Sequence, residues 1–152
     1  MKKFVFFLLL FTAGVTYSQM FQKITNQPLV TENGYGSGCA WGDYNNDGKL
    51  DIIVTSYNDF GSTTYPLLYK NLGNGNFQLA TDNTIMTNSL YQTLACAWGD
   101  YNYDGKMDIY IATGMNQPDL LYKNTGGGNF QRITNCVPVV AGHSGGVCWA
   151  DY

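Results

Sequence analysis

The sequence CAWGDYNNDGKLDIIV at residues 39–54 is followed 57 residues later by CAWGDYNYDGKMDIYI at residues 96–111. The same phrase starts a third time as VCWADY at residues 147–152. Aligning the three copies superposes Trp41, Trp98 and Trp149. An internal period of this size is typical of propellers, solenoids and related arrays. The copies therefore indicate a fold built from one recurring unit.

Two shorter motifs recur in register with this phrase. One begins with Phe-Gln and the other reads LLYKN. The copies are FQKIT at 21–25, FQLAT at 77–81 and FQRIT at 130–134, with LLYKN at 67–71 and 120–124. The sequence therefore predicts repeat units over about 21–76 and 77–129, and a shortened unit over 130–152.

Each unit contains four short segments of strand-like composition, separated by turn residues. In the first unit these segments are Gly38–Asp43, Asp51–Ser56, Leu67–Asn71 and Asn76–Ala80. The Asn and Gly residues between the third and fourth segments tolerate the positive φ of tight hairpins. Four antiparallel strands make one blade of a β-propeller. The predicted fold is therefore all-β, a partial β-propeller over residues 19–152 with about two complete blades and partial ones.

The first 18 residues predict a signal peptide, with a membrane anchor or a buried strand as the alternatives. Lys2 and Lys3 precede an apolar run that is short for a membrane span, and Thr16 and Ser18 form a small-residue cleavage site before Gln19. Export to the outside of the cell or to the cell surface is therefore expected. Cleavage changes the formal net charge from −3 to −5.

Acidic residues are concentrated in the two long phrases, which hold six of the 11 Asp and Glu residues. Nucleic-acid binding needs clustered Lys and Arg instead. The charge pattern therefore favours a bound cation and predicts neither a nucleic-acid partner nor, after cleavage, a membrane partner.

The segment between the first and second strands of each unit predicts a calcium loop. Oxygen donors stand at positions 1, 3, 5 and 9, Gly stands at position 6, and the backbone carbonyl of position 7 can add another oxygen. Position 5 is expected to point its carboxylate into the loop, and the position-7 ammonium to point to solvent. The predicted ligands are Asp43, Asn45, Asp47, Lys49 and Asp51 in the first loop, and Asp100, Asn102, Asp104, Lys106 and Asp108 in the second.

Other metal sites fit the two loops less well. An EF-hand needs an acid at position 12, where this chain has Val54 and Ile111. Zinc is disfavoured because neither loop contains His or Cys. Magnesium stays open, although several carboxylates suit the looser coordination of Ca²⁺ better. Acidic turns that bind no metal are the remaining alternative.

These motifs resemble FG-GAP or VCBS-type repeats, which form the β-propeller of integrin α subunits and occur in many secreted bacterial proteins. The resemblance rests on the two WGDYN-x-DG phrases, each followed by LLYKN and a Gly-rich turn before Phe, and it covers Phe21–Tyr152. It implies a propeller with Ca²⁺ in a hairpin loop of each blade. The third copy departs from the pattern, since only Asp151 of its ligands is present. The sequence therefore indicates the front part of a longer protein, with a ring of several short chains as the alternative.

The aromatic residues, cysteines and His143 have more modest interpretations. The three aligned Trp residues are expected to pack between blades. Cys39 and Cys96 occupy equivalent positions and are predicted as buried free thiols or as members of disulfides, and Cys136–Cys148 is the first pair to test. His143 lies in a Gly/Ser loop without a nucleophile motif, so no catalytic residue is predicted.

The predicted function is a secreted, calcium-binding β-propeller module that binds a protein or a glycan. One alternative is a scaffold or accessory module of a larger secreted enzyme, such as a polysaccharide-degrading one. Another is a structural repeat without a specific ligand. Fold alone does not separate these functions.

Overall fold

A computed structural model of the chain describes residues 23–31, 35–57, 65–81, 83–87, 92–135, 141–142 and 144–150. The predicted signal peptide at 1–18 lies outside this part of the chain. Within it, no helix is long and apolar enough to cross a membrane.

Two four-stranded antiparallel sheets dominate the structure, and the prediction of an all-β chain is confirmed. The first sheet consists of β1 (Gly36–Gly42), β2 (Asp51–Ser56), β3 (Leu67–Gly73) and β4 (Asn76–Leu79). The second consists of β5 (Thr93–Gly99), β6 (Asp108–Thr113), β8 (Leu120–Gly126) and β9 (Asn129–Ile133). The short strands β7 (Gln117–Pro118) and β10 (Ala141–Gly142) form a separate pair, and α1 (Pro28–Thr31) and a 3-10 helix (Thr84–Thr87) complete the elements.

The two sheets have the same register because their strands carry the same repeats. Trp41 lies opposite Ile52 in the first sheet, as Trp98 lies opposite Ile109 in the second. The predicted tight turn between β3 and β4 is present, since Asn74 has φ 53° and the following Gly75 has φ 77°. Asn and Gly adopt this left-handed conformation at little cost. Turn chemistry and strand pairing therefore agree in each unit.

The hydrophobic core lies between the two sheets. Because side chains alternate along a strand, Ala40, Ile53 and Leu68 share one face of the first sheet, and this face packs against the second. The core cluster also includes residues of the second sheet, namely Cys96, Trp98, Ile109, Ile111, Leu120, Tyr122 and Phe130. Consecutive repeats therefore pack face to face.

The predicted packing of Trp between units is confirmed for Trp98, which is only 8% exposed. Its ring stacks on Tyr44, with centroids 6.4 Å apart, and its indole N–H donates to the Ala40 carbonyl oxygen at 3.2 Å. Trp41, in contrast, is 51% exposed. Equivalent residues thus differ in burial because, among the residues that the structure describes, the Trp98 face packs against another sheet and the Trp41 face does not.

The cysteines Cys39, Cys96 and Cys148 are free thiols, so the suggested bridge from Cys148 is not formed, and Cys136 lies outside the described residues. Cys96 is buried as expected, and desolvation raises its pKa to about 12, with a smaller contribution from nearby Cys39. Cys39 is exposed, which corrects the expectation of a buried thiol. Its side of the first sheet faces away from the core.

Two copies of the repeated motifs, near the ends of the described residues, do not form strands. Residues 23–25 of the FQKIT copy form no strand, and neither do residues 144–150, which include most of the third Trp copy. In both complete sheets the Trp strand pairs with the strand after the acidic loop. Within the described part of the chain, residues 144–150 have no such pairing. Residues 130–133 of FQRIT belong to the fourth strand of the second sheet.

Candidate functional site

The two acidic loops, at residues 43–51 and 100–108, connect the first and second strands of each sheet, and the last residue of each loop is also the first residue of the second strand. In the first loop, Asp43 accepts backbone hydrogen bonds from Asp47 at 3.0 Å and Gly48 at 2.8 Å. Asp100 accepts the corresponding bonds in the second loop, at 3.0 and 2.7 Å. A short acidic side chain that caps nearby N–H groups is a strong turn former. Position 1 therefore shapes each loop.

Position 9 of each loop is a buried carboxylate that joins the loop to the neighbouring strand. Asp51 accepts from the Tyr44 N–H at 3.3 Å, the Asn45 side-chain amide at 3.0 Å and the Asn71 N–H at 2.7 Å. Asp108 makes the same three contacts in the second loop, at 3.2, 3.2 and 2.7 Å. Because these donors come from the loop and from the third strand of the sheet, the carboxylate fixes one against the other.

The pKa of Asp51 is raised above its usual value. Desolvation by burial is the main cause, the charges of Asp47 and Asp43 add to it, and the backbone N–H groups of Asn71 and Tyr44 oppose it. Desolvation likewise raises the pKa of Asp108, with contributions from the neighbouring loop acids. A nearby cation would relieve the repulsion among these carboxylates.

Position 3 supplies an oxygen that the protein itself does not satisfy. The Oδ1 atoms of Asn45 and Asn102 are buried and have no hydrogen-bond partner, although the amide groups of both side chains donate to the position-9 carboxylate. A buried unpaired acceptor costs free energy comparable to a lost hydrogen bond. A bound cation at this position would satisfy it, so the donor set fits a hard cation.

The position-5 carboxylates are engaged by lysines. Asp47 Oδ2 lies 3.5 Å from Lys49 Nζ and 3.8 Å from Lys70 Nζ. Asp104 likewise lies 3.4 Å from Lys106 and 3.3 Å from Lys123. The ammonium groups of Lys49 and Lys106 at position 7 were expected to point to solvent. They instead pair with the position-5 carboxylates and balance their charge.

The pKa of Asp104 reflects this arrangement. Desolvation acts to raise the pKa, but hydrogen bonds from Lys123 and Lys106 outweigh it and hold the pKa below its usual value. Among the residues that the structure describes, no three Asp, Glu, His or Cys side chains converge closely enough to hold a metal ion. The predicted ligands of each site lie in the same loop. Their carboxylates form ion pairs with lysines and accept hydrogen bonds from backbone N–H groups.

Two pairs of residues that contact the loop carboxylates were not among the residues predicted from the sequence. Lys70 and Lys123 pair with position 5, and Asn71 and Asn124 place their N–H groups on position 9. Both pairs belong to the repeated LLYKN motif. The LLYKN motif recurs in register with the acidic loops, and this recurrence could have indicated that the motif contacts the loops.

The first loop also contacts the second sheet. The side-chain amide of Asn124 donates to the Tyr44 carbonyl oxygen at 2.7 Å and to the Met107 carbonyl oxygen at 3.1 Å. The Tyr44 ring packs between Trp98 and Phe130, with centroids 6.4 and 5.9 Å away. The backbone of the first loop is therefore part of the contact between the sheets.

Comparison with known proteins identifies the repeated unit. Residues 43–111 match the family model described as an FG-GAP-like repeat. This segment begins at position 1 of the first loop and ends in β6, so it includes both acidic loops. No curated protein and no solved structure shows significant similarity to the chain.

Proposed function

This chain is an FG-GAP-type repeat protein, and we propose that it is a secreted β-propeller repeat module, stabilised by Ca²⁺, that binds a protein or a glycan. FG-GAP repeat domains are generally non-catalytic, which fits a binding role. The observation that carries the calcium proposal is the pair of buried, unpaired Asn Oδ1 atoms at the same position of both loops.

The chemistry of the loops supports calcium over other ions. Each loop offers carboxylate, amide and backbone oxygens within nine residues, which are the ligands that Ca²⁺ prefers. Positions 1, 3, 5 and 9 and the carbonyl of position 7 would hold the ion. Binding would draw position 5 away from its lysines, since Asp47 and Asp104 form ion pairs with those lysines in this structure.

A structural role for the ion follows from this arrangement. When bound, Ca²⁺ would supply positive charge to a loop whose buried position-9 carboxylate is destabilised by burial and by its acidic neighbours. All the proposed protein ligands of one site come from one contiguous loop. The ion would therefore stabilise the hairpin and affect partner binding only through the fold.

Calorimetry and thermal melting test the calcium proposal. Extracellular calcium modules often have dissociation constants of about 10⁻⁴ to 10⁻³ M, so we expect binding heat and a higher melting temperature in millimolar Ca²⁺. The double variant Asp43→Asn/Asp100→Asn retains an acceptor for the turn and should lose most of both effects. The matched control, Leu72→Ala, changes an exposed side chain outside the loops and should retain them. Wild-type protein without heat or stabilisation would refute the proposal.

Partner binding needs a separate test. We expect glycan-array or pull-down signals that are lost in EGTA together with the folded state, and are restored by Ca²⁺. If EGTA abolished binding while the melting temperature stayed unchanged, the ion would belong to the binding site itself, and the structural role would be wrong.

Export is tested at the amino terminus. We expect N-terminal sequencing of the protein recovered from an exporting host to begin at Gln19, because Thr16 and Ser18 precede that bond. Intact Met1 in a membrane fraction would show that the segment is an anchor.

A further inference from the structure

Each acidic loop has two lysines that converge on the carboxylate of position 5. We call them the lysine pair of the loop, which is Lys49 and Lys70 in the first loop and Lys106 and Lys123 in the second. Each ammonium nitrogen lies within 3.8 Å of a position-5 carboxylate oxygen. One member of each pair stands at position 7 of the loop, and the other lies in the third strand of the sheet. The loop and the strand therefore bring positive charge to the same point in both repeats.

The lysine pairs supply the positive charge that the loop acids need when no metal is bound. Each loop has carboxylates at positions 1, 5 and 9, and neighbouring like charges disfavour one another's ionised forms. Desolvation acts to raise the pKa of Asp104, but hydrogen bonds from Lys123 and Lys106 hold this pKa below its usual value. The lysine pair therefore stabilises the charged form of position 5 by itself.

Positions 3 and 5 differ in what they lose when a cation binds. The Oδ1 atoms of Asn45 and Asn102 are buried and have no hydrogen-bond partner, so a cation would give each atom its first partner. The carboxylates of Asp47 and Asp104 instead have to leave two ammonium groups before they coordinate the same ion. The ammonium groups also repel a divalent cation while they remain beside the loop. Both effects oppose the binding of the ion at position 5.

We propose that each lysine pair sets the calcium affinity of its loop by competing with the ion for the position-5 carboxylate. The inference deepens the proposed function and rests on it, because it takes the two loops as calcium sites. Any change that weakens the lysine contacts then strengthens calcium binding. Because the same contacts recur in both loops, the lysines hold both sites at a lower affinity than the ligands alone would give.

The third-strand lysines allow the competition to be tested without changing a proposed ligand. Their side chains are 41% and 35% exposed, so Lys70→Gln/Lys123→Gln removes one ammonium group from each loop with little change in packing. In calorimetry, we expect this glutamine variant to bind Ca²⁺ about two- to fivefold more tightly than wild type, the effect of one exposed ion pair. The control Lys70→Arg/Lys123→Arg keeps the charge and should bind with wild-type affinity.

Thermal unfolding distinguishes competition from a purely structural role of the lysines. In EGTA, the glutamine variant should melt below wild type because position 5 loses an ion pair. In millimolar Ca²⁺, its gain in melting temperature should exceed that of wild type, because a ligand stabilises more strongly as its dissociation constant falls. A purely structural role would instead lower the melting temperature by the same amount in both conditions.

The possible results separate this inference from the calcium proposal. If wild type and the glutamine variant bind Ca²⁺ with equal affinity, or if the arginine variant binds as tightly as the glutamine variant, the competing role of the lysines is overturned while the calcium sites stand. If neither wild type nor the glutamine variant shows binding heat or stabilisation, the calcium sites are refuted and the inference with them.

Discussion

Tyr103 adopts a backbone conformation that its side chain does not favour. It has φ 57° and is 85% exposed, and its counterpart in the first loop is Asn46 with φ 56°. Asn visits the left-handed region far more readily than an aromatic residue does. The same loop geometry is therefore built from a suitable residue in one repeat and an unsuitable residue in the other.

Replacing Tyr103 with Asn should stabilise the chain by up to about 1 kcal/mol, because the backbone strain falls and little packing is lost. Thermal or urea unfolding would measure the gain. The reverse change in the first loop, Asn46→Tyr, should cost a similar amount. Equal stability of all three proteins would mean that the left-handed turn carries no strain at this position.

The sequence could not predict which neighbouring groups each carboxylate of the site contacts. The spacing of carboxylates identifies both loops, but it does not show that Asp47 meets Lys70. That lysine lies in β3, and the pairing depends on the register between strands. Similarly, the hydrogen bond that Asp51 accepts from the Asn71 N–H depends on how β3 is placed beside β2.

At the scale of the element, each acidic loop is stabilised at two unequal points. Position 9 is buried and accepts from backbone groups of the loop and of the third strand. Position 5 is partly exposed and pairs with flexible lysines. Buried acceptors whose loss leaves N–H groups unpaired contribute more to stability than surface ion pairs do. The hairpin should therefore depend mainly on position 9 when calcium is absent.

Matched substitutions in the first loop test this difference. In EGTA, we expect Asp51→Ala to lower the free energy of unfolding by about 1–3 kcal/mol, because the Tyr44 and Asn71 N–H groups lose their acceptor. Asp47→Ala should cost about 1 kcal/mol or less. In millimolar Ca²⁺, both variants should gain less stability than wild type does. A larger loss for Asp47→Ala in EGTA would show that the lysine pairs hold the hairpin.

The strands themselves were largely predictable. Repetition identified the four segments of the first unit, and Gly and Asn marked their turns, so the predicted bounds differ from the observed ones by at most two residues. The short helices were missed. The 3-10 helix at Thr84–Thr87 places Ile85 fully in the core, and no periodic pattern indicates so short an element.

At the scale of the whole molecule, an aromatic ring packed over a glycine is a central part of the contact between the two sheets. Trp98 requires the bare backbone of Gly42, and the rings of Tyr44 and Phe130 both contact its indole. Sequence predicts Trp packing between units, but the exposure of Trp41 depends on which neighbour lies beside its sheet. Identical residues therefore have different environments, which a repeat alignment does not show.

A methyl group at the centre of this contact should separate the sheets. We expect Gly42→Ala to destabilise the chain by about 1–3 kcal/mol, the usual cost of overpacking. Gly36→Ala, in the same strand, is the control, because its added Cβ would lie 3.5 Å from Val54, an ordinary contact distance. Near-ultraviolet circular dichroism should report the change in the Trp98 environment. Equal tolerance of both substitutions would show that the ring moves aside without cost.

The Trp-over-Gly contact also has a consequence for inheritance. Trp98 over Gly42 and Trp149 over Gly99 use the same pair of residue types at successive boundaries. An in-frame duplication or deletion of one whole unit in the gene would therefore create a boundary chemically equivalent to those already present. Unequal recombination between repeats could change the number of units without new compensating mutations, whereas a change of part of a unit would separate a Trp from its glycine.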